Sequence, residues 1–333
     1  MDIELAAEQI DRLVTCDLNV RPFFPALYKA ARFAQGGPLC RLAADRLKSS
    51  FTDTRGEPIL FITGFFSPIL GVGEQDGPVG TAFLARVLEQ AYGVVPVVVT
   101  DKGQIPLVSQ TLCGGGFNVI PLENALKSAR AGKGKAASVI EFPVRLEEAS
   151  FEAERLLKML SPRAIIAIER PGRNVAGKTH SLGAIELGET TAMTDVLLSQ
   201  ARDRGCTSIA IADAGNETGS GMIHDEVNRV LGEERRCMTC GEGIAAVETA
   251  DVLVMAAVSN WGAYGVATAL ALELEDAGLM PNVNVLEWTI RACALAGGRN
   301  GLSDWTDPGS DGMPIATDLG VLTMLRTLAQ TPE

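Results

Sequence analysis

Histidine is almost absent from this chain: His180 and His224 are the only two in 333 residues. Neither has a partner at metal-ligand spacing, and a Ser-His-Asp assignment would be arbitrary. Each is read as an ordinary surface or supporting side chain. Aromatic residues make up only 5 % of the chain, so the core must be built mainly from Ala, Val, Leu and Ile. No extended basic run or interleaved aromatic platform offers a surface for nucleic-acid bases. The formal net charge of −12 argues against nucleic acid or an anionic membrane as a partner. The longest apolar stretch, 252–258, is far too short to span a bilayer. The amino end is acidic, with its first basic residue at Arg12. It lacks the pattern of a signal or transit peptide, and a cytoplasmic location is expected.

Cysteine is present but scattered, at Cys16, Cys40, Cys113, Cys206, Cys237, Cys240 and Cys293. An odd, dispersed set in a reducing compartment reads as buried thiols. The one close pair is Cys237-Met-Thr-Cys240. A structural zinc would need two more ligands, and no second pair or nearby histidine supplies them. A redox role lacks thioredoxin-like surroundings, so structural thiols are expected.

Hydrophobic residues make up 47 % of the chain, enough for a sizeable core and against disorder. Residues 3–50 carry apolar side chains close to helical spacing, with breaks expected at Pro25 and Gly36-Gly-Pro38. Nothing catalytic stands out in this preface, which is read as packing or as a homo-oligomer contact. From residue 58 short apolar runs alternate with helical patterns. Strands are expected near 59–62, 94–100, 117–120, 138–142, 164–168, 208–212 and 252–258. Unbroken apolar runs suit strands buried on both faces, and repeated strand–helix units force a mainly parallel sheet. The expected fold is α/β: a mainly parallel sheet with flanking helices, three layers α/β/α, behind an N-terminal helical segment. The segment is placed at 1–54 and the α/β domain at 55–333. A two-lobed arrangement with a boundary near 143–163 is the alternative.

The polar residues cluster just after the apolar runs. Thr63-Gly64 leads into a long connection with Glu74, Asp76 and Gly77. Further on stand Thr100-Asp101, Glu169-Arg170-Pro-Gly-Arg173-Asn174, Asp213-Ala-Gly-Asn216-Glu217 and Ser259-Asn260-Trp261. Ligands bind outside the carboxyl ends of parallel strands, so these loops should converge on one mouth, rich in carboxylates. Asp213, Asn216 and Glu217 are three oxygen donors within five residues, which suits Mg²⁺ or Mn²⁺. Glu74 and Asp76 are expected to assist. Gly77 to Gly80 opens a helix whose free amides can hold an anion. Asp101 is either a helix cap or a metal or substrate contact. A charge pair such as Glu169-Arg170 at a strand end is costly unless paired or ligand-bound, and arginine suits a carboxylate or phosphate. An internal Glu–Arg bridge is the structural alternative. Asn260 would fix a substrate and Trp261 would wall the pocket, with helix capping by Ser259 or Asn260 as the structural alternative, and the Gly-rich 297–313 stretch reads as a loop covering the site. There is no G-x-G-x-x-G fingerprint and no Walker Gly-Lys-Ser/Thr.

Seven blocks, in order, resemble one family, the D-glutamate cyclase-like C-terminal domain. They are Ile62-Thr-Gly-Phe65, Gly73-Glu-Gln-Asp-Gly-Pro-Val-Gly80, Thr100-Asp101, Ile168-Glu-Arg-Pro-Gly-Arg-Asn174, Ala212-Asp-Ala-Gly-Asn-Glu217, Val258-Ser-Asn-Trp-Gly-Ala-Tyr264 and Ser310-Asp-Gly-Met-Pro314. The resemblance covers roughly residues 55–320. It implies an α/β enzyme that cyclises D-glutamate to 5-oxo-D-proline, or a relative with altered chemistry, binding a metal through acidic residues. Two departures stand out. Ala214-Gly215 replaces a frequent Gly-Gly, and Lys178-Thr-His-Ser-Leu-Gly183 replaces a segment that often carries Asn-Met-Arg-Gly.

These readings combine into a metal-dependent lyase on a small carboxylated amino acid. Asp213, Asn216 and Glu217, with Glu74 and Asp76, hold the metal. Glu169 is the base, and Arg170 or Arg173 clamps a carboxylate. Asn260 orients the substrate, and Thr63, Gly64, Gly77, Asn174, Ser259 and Trp261 contact it. The alternatives are a metal-dependent phosphatase and a non-catalytic metabolite-binding protein, the latter suggested by the altered 178–183 segment.

Overall fold

The computed structural model describes residues 2–51, 55–303 and 305–330. The boundary expected at residue 54 lies outside the described residues. The preface forms three helices, α1 (Ile3–Val14), α2 (Phe24–Gln35) and α3 (Leu39–Ser50). Asp2 caps α1, its Oδ1 accepting from the Leu5 amide at 3.1 Å. Pro25 does not interrupt a helix but sits in the first turn of α2, where its missing N–H costs nothing. Gly36, with φ +74°, closes that helix. Ile10, Val14, Leu27, Leu39 and Leu47 are fully or almost fully buried and belong to the same apolar core as the sheet.

The next strand, β1 (Pro58–Thr63), is followed by a small antiparallel ribbon, β2 (Phe66–Ser67) with β3 (Val72–Gly73), then by α4 (Pro78–Tyr92). The chain continues through β4 (Val95–Thr100), α5 (Ile105–Gly114), β5 (Asn118–Val119), α6 (Leu122–Arg130), β6 (Ala136–Glu141) and α7 (Leu146–Leu160). It then forms β7 (Ala164–Ile168), α8 (Thr194–Asp203), β8 (Thr207–Ala212), α9 (His224–Leu231), β9 (Val252–Met255), α10 (Ser259–Glu273), α11 (Val283–Leu295) and α12 (Ile315–Ala329). Seven strands make one sheet in the order β5-β6-β4-β1-β7-β8-β9, every pair parallel. Helices flank it in three layers, as the sequence predicts. Ile62 lies between Val99 of β4 and Ala167 of β7 and is fully buried. Burial of such a side chain stabilises the fold by about 1.5–3 kcal/mol.

Helix α10 is apolar nearly all round and buried from Ser259 to Leu272. Two glycines let its neighbours come close. A Cβ on Gly262 would meet Ile211 Cγ2 at 2.5 Å, and one on Gly265 would meet Cys40 Sγ at 2.7 Å. The preface and the sheet therefore grip α10 from both sides, which aims its N-terminus, Ser259-Asn260, at the carboxyl ends of the strands. Among the described residues no helix is long and apolar enough to cross a membrane.

Candidate active site

The sheet order places a topological reversal at β1. The chain adds β4, β5 and β6 on one side, then crosses to β7 on the other. Such a reversal opens a crevice at the carboxyl ends. Here it holds a cavity of about 240 Å³ whose lining includes Glu74, Glu169, Asp213, Asp311, Arg21 and Arg299, with Ser181, Leu182 and Gly183 along one wall. The loops after β1, β3, β7 and β8 do converge, and the 297–313 loop adds Arg299 and Asp311.

Two of the carboxylates are held by backbone amides. Asp76 accepts from the amides of Gly77 (3.0 Å), Ser259 (3.0 Å) and Asn260 (2.7 Å). Glu217 accepts from those of Asp213 (3.1 Å), Ala214 (2.9 Å) and Gly215 (2.5 Å). Each loop is thus folded around a carboxylate. Glu169 has φ +44°, left-handed and uncommon for a residue with a side chain. Its Oε2 accepts from the Ser259 hydroxyl at 2.7 Å. A Cβ on Gly77, itself at φ +91°, would lie 2.9 Å from Glu169 Cβ, so glycine leaves room for that strained turn. Asp213 is common to two clusters: with Asp76 and Asp311, and with Glu169 and Glu217, it offers ligand atoms within 4.8 Å of one another.

This concentration of charge has few counterions. Arg21 Nη1 donates to Asp213 Oδ2 at 2.7 Å, and Arg299 Nη2 lies 3.5 Å from Glu74 Oε2. Burial, with the charges of Asp76, Asp213 and Glu217 adding to it, pushes the Glu74 carboxyl up to about 8. Burial and Asp213 raise Asp76 to about 7 and Glu217 to about 8, even against the amides that favour their ionised forms. Glu169 and Asp311 are pushed well above the usual carboxylate range, first by burial and then by the neighbouring carboxylates.

A pH dependence follows. These acids have folded-state pKa values above their unfolded ones, about 4. The folded state therefore binds more protons, and that stability is full below pH ~4 and is lost as pH rises through about 7–8. The metal-free protein is expected to show a falling Tm between pH ~4 and ~8, and millimolar Mn²⁺ or Mg²⁺ should flatten the fall. Calorimetry across that range with and without cation checks both. A metal-free Tm that rises with pH would contradict the clustering.

The donor set fits a hard divalent cation. Carboxylate and amide oxygens gathered in one cluster suit Mg²⁺ or Mn²⁺. Asn216 lines the pocket, and among the described residues its buried Oδ1 accepts no hydrogen bond, although its Nδ2 donates to the His180 carbonyl at 2.9 Å.

Several expected contacts fall elsewhere. Arg170 is fully buried and all five of its N–H groups are used. Nε donates to Thr194 Oγ1 (2.9 Å), Nη1 to Gly64 O (2.9 Å) and Asp101 Oδ2 (2.6 Å), and Nη2 to Asp101 Oδ1 (2.7 Å) and Ala192 O (2.7 Å). It has nothing left for a substrate, and its ion partner is Asp101 rather than Glu169. Asp101 in turn stands at the N-cap position of the short helix Lys102–Gln104, but its side chain makes no cap hydrogen bond there, and it does not line this cavity. Arg173 donates to Asp195 at 2.6 Å and lines a separate cleft of about 730 Å³ with Val144, Lys178 and Glu189. Asn174 braces its own loop, accepting from the amides of Ala176 and Lys178 and donating to Gly243 O. Thr63 donates to Ile168 O at 2.8 Å, tying β1 to β7. Trp261 is buried in the core with Nε1 on Asp318 at 3.1 Å, and does not line this cavity.

Asn260 does lie beside Asp76 and Glu169, but as a clasp. Its Oδ1 accepts from the amides of Gly77 (3.0 Å) and Gly80 (2.6 Å), and its Nδ2 donates to Gln75 O (3.1 Å) and Ser310 Oγ (3.0 Å). The amides expected to hold an anion at the start of α4 are therefore taken. Asn260→Ala should cost about 1–3 kcal/mol of stability, because it strands several buried polar groups. Chemical denaturation checks this, and a loss of turnover with stability unchanged would return Asn260 to the substrate.

Three charged pocket residues are not named as site residues from the sequence. Arg21 comes from the preface, where a lone arginine between Val20 and Pro22 gives no signal. Arg299 and Asp311 come from the covering loop, and Asp311 stands in the Ser310-Asp-Gly block that carries the resemblance.

Fold and site together define an open parallel α/β protein with a carboxylate-lined pocket at its topological reversal. The chain belongs to the D-glutamate cyclase-like, C-terminal family, whose pattern matches residues 13–326. It is similar to the mitochondrial D-glutamate cyclase of Homo sapiens, 26 % identical over 246 residues. The match spans 71 % of this chain and 36 % of that relative's length.

Proposed function

We propose that this protein is a metal-dependent lyase that cyclises D-glutamate to 5-oxo-D-proline and water, using Mn²⁺ or Mg²⁺. The observation that carries the reading is the meeting of Glu74, Asp76, Glu169, Asp213, Glu217 and Asp311 around one small cavity, in a chain of this family. Asp213, Asp311 and Asn216, braced by Asp76 and Glu217, hold the cation. Bound there, it would act as a Lewis acid on the substrate's side-chain carboxylate. In this reading the carboxylate-clamping role expected of Arg170 and Arg173 falls to Arg299, which lines the cavity in an ion pair with Glu74 that a substrate carboxylate would share. A cavity of about 240 Å³ holds a small amino acid in a folded conformer, which brings the amine to its own carboxyl carbon.

In the reaction the C–N bond forms and a C–O bond breaks. Two protons leave the ammonium and depart with the carboxylate oxygen as water. In this reading Glu169 relays them. Its carboxyl is held well above the usual carboxylate range, first by burial and then by the neighbouring carboxylates, and the Ser259 hydroxyl fixes one of its oxygens.

The test is a side-by-side assay of the metal-loaded and chelated protein with D-glutamate, L-glutamate and a panel of phosphate esters. Turnover of D-glutamate should require the cation, and Glu169→Gln should lower kcat by about 10²–10⁴-fold with Mn²⁺ affinity within a few fold. Turnover of phosphate esters alone would replace the cyclase reading with a phosphatase.

A further inference from the structure

The Cys237–Cys240 pair, which has no histidine near it in sequence, has one in space. Between Cys237 and Gly241 the chain makes a tight turn. The Gly241 amide donates to Cys237 O at 2.9 Å, Gly241 has φ +75°, and the Cys237 amide donates to Glu242 O at 2.9 Å. The Thr239 amide points at Cys237 Sγ, 3.4 Å away, a contact that favours the thiolate. The turn brings both sulfurs to one side, against His180. One ligand atom from each of His180, Cys237 and Cys240 lies within 4.8 Å of the others. His180 is fully buried, and its Nε2 faces Cys240 Sγ at 3.6 Å. The Lys178 backbone bears on the same ring as a hydrogen-bond partner, the kind of contact that orients a metal-ligating imidazole.

We propose that His180, Cys237 and Cys240 form a second metal site, for a thiophilic cation of the Zn²⁺ class, chemically distinct from the acidic pocket. Two thiolates and an imidazole are zinc donors, whereas the pocket offers oxygen. In a tetrahedral zinc site, sulfur and nitrogen ligands sit roughly 3.5 Å apart, close to the 3.6 Å between Cys240 Sγ and His180 Nε2. Cys240 is only partly buried, so the fourth position falls to solvent water. The site also has a place in the architecture. The His180 carbonyl accepts from Asn216 Nδ2, and the next three residues, Ser181, Leu182 and Gly183, line the acidic cavity. A cation here would fasten the 237–240 turn to the strip that walls the pocket.

Protein purified under reducing conditions without chelator should contain about one equivalent of zinc, measured by elemental analysis. Exchange with Co²⁺ should produce thiolate-to-cobalt charge-transfer bands. The bands should persist in Asp213→Asn, which alters only the acidic pocket, and disappear in Cys240→Ser together with the zinc. Reduced wild-type protein that takes up Co²⁺ without such bands overturns the proposal, and that measurement needs no variant to fold. Zinc content unchanged in Cys240→Ser overturns it too. So does a Cys237–Cys240 disulfide with no zinc in protein alkylated at lysis, which would assign the pair to redox chemistry.

Discussion

Asp213→Asn is expected to remove most of the metal response of this protein and to lower turnover by at least about 100-fold. Asp213 is the one residue shared by both carboxylate clusters, and it also accepts the Arg21 guanidinium at 2.7 Å. At a cation concentration about 100 times its Kd, the wild type gains about 2.7 kcal/mol of stability from binding. A 100-fold weaker variant gains about 0.4 kcal/mol under the same conditions. The metal-free comparison should run the other way. Asp213 is a leading electrostatic contributor, after burial, to the raised carboxyls of Asp76, Glu169 and Glu217, so neutralising it relieves repulsion at pH ~8. Arg21 keeps Asp17 and the Ala257 carbonyl. Metal-free Asp213→Asn should therefore melt no lower than metal-free wild type. Calorimetry with and without Mn²⁺, alongside a turnover assay, reads all three quantities. A variant that retains wild-type Mn²⁺ affinity would remove the acidic cluster from consideration as the metal centre.

Arg170→Met is expected to cost about 3–5 kcal/mol of folding free energy, the range for breaking a buried pair by removing one partner. The guanidinium joins the ends of β1, β4 and β7 to residues 192–194 through Gly64 O, Asp101, Ala192 O and Thr194. Without it Asp101 stays buried, with only the Ala192 amide and Gln104 Nε2 donating to it. Neutralising that charge in the double variant Arg170→Met/Asp101→Asn should recover part of the loss, so the two substitutions should be clearly non-additive. Denaturant unfolding of the two singles and the double completes the cycle. If Arg170→Met instead lost under 1 kcal/mol and its D-glutamate affinity collapsed, the substrate clamp would be Arg170 after all.

Both predictions turn on a distinction that polar loop residues conceal in a sequence. Glu169 and Arg170 are neighbours at the end of a buried strand, and the cost of burying them announces that each needs a partner. The identity of the partners is set by the strand order. It brings Asp101, at the end of β4, to Arg170, and Ser259, at the start of α10, to Glu169. The same holds for Asn260, whose amide serves Gly77 and Gly80 from 180 and more residues away, and for His180, which meets the Cys237–Cys240 turn across 60 residues.

From the residues alone came the parallel sheet, because strands covered on both faces must be continuously apolar. Ile59–Ile62 of β1, Ala164–Ile168 and Ile209–Ala212 of β8 satisfy that over their whole length. The convergence of acidic loops followed, since parallel strands all deliver their carboxyl ends to one edge. The tertiary structure alone decided which polar groups face the cavity and which hold the loops. It turned Arg21 and Arg299 inward, enclosed Arg170 and Trp261, and made a clasp of Asn260. The reason is physical. Periodicity records which face of an element avoids water, a local property, whereas the pairing of buried charges depends on distances between segments that only the completed chain path brings together.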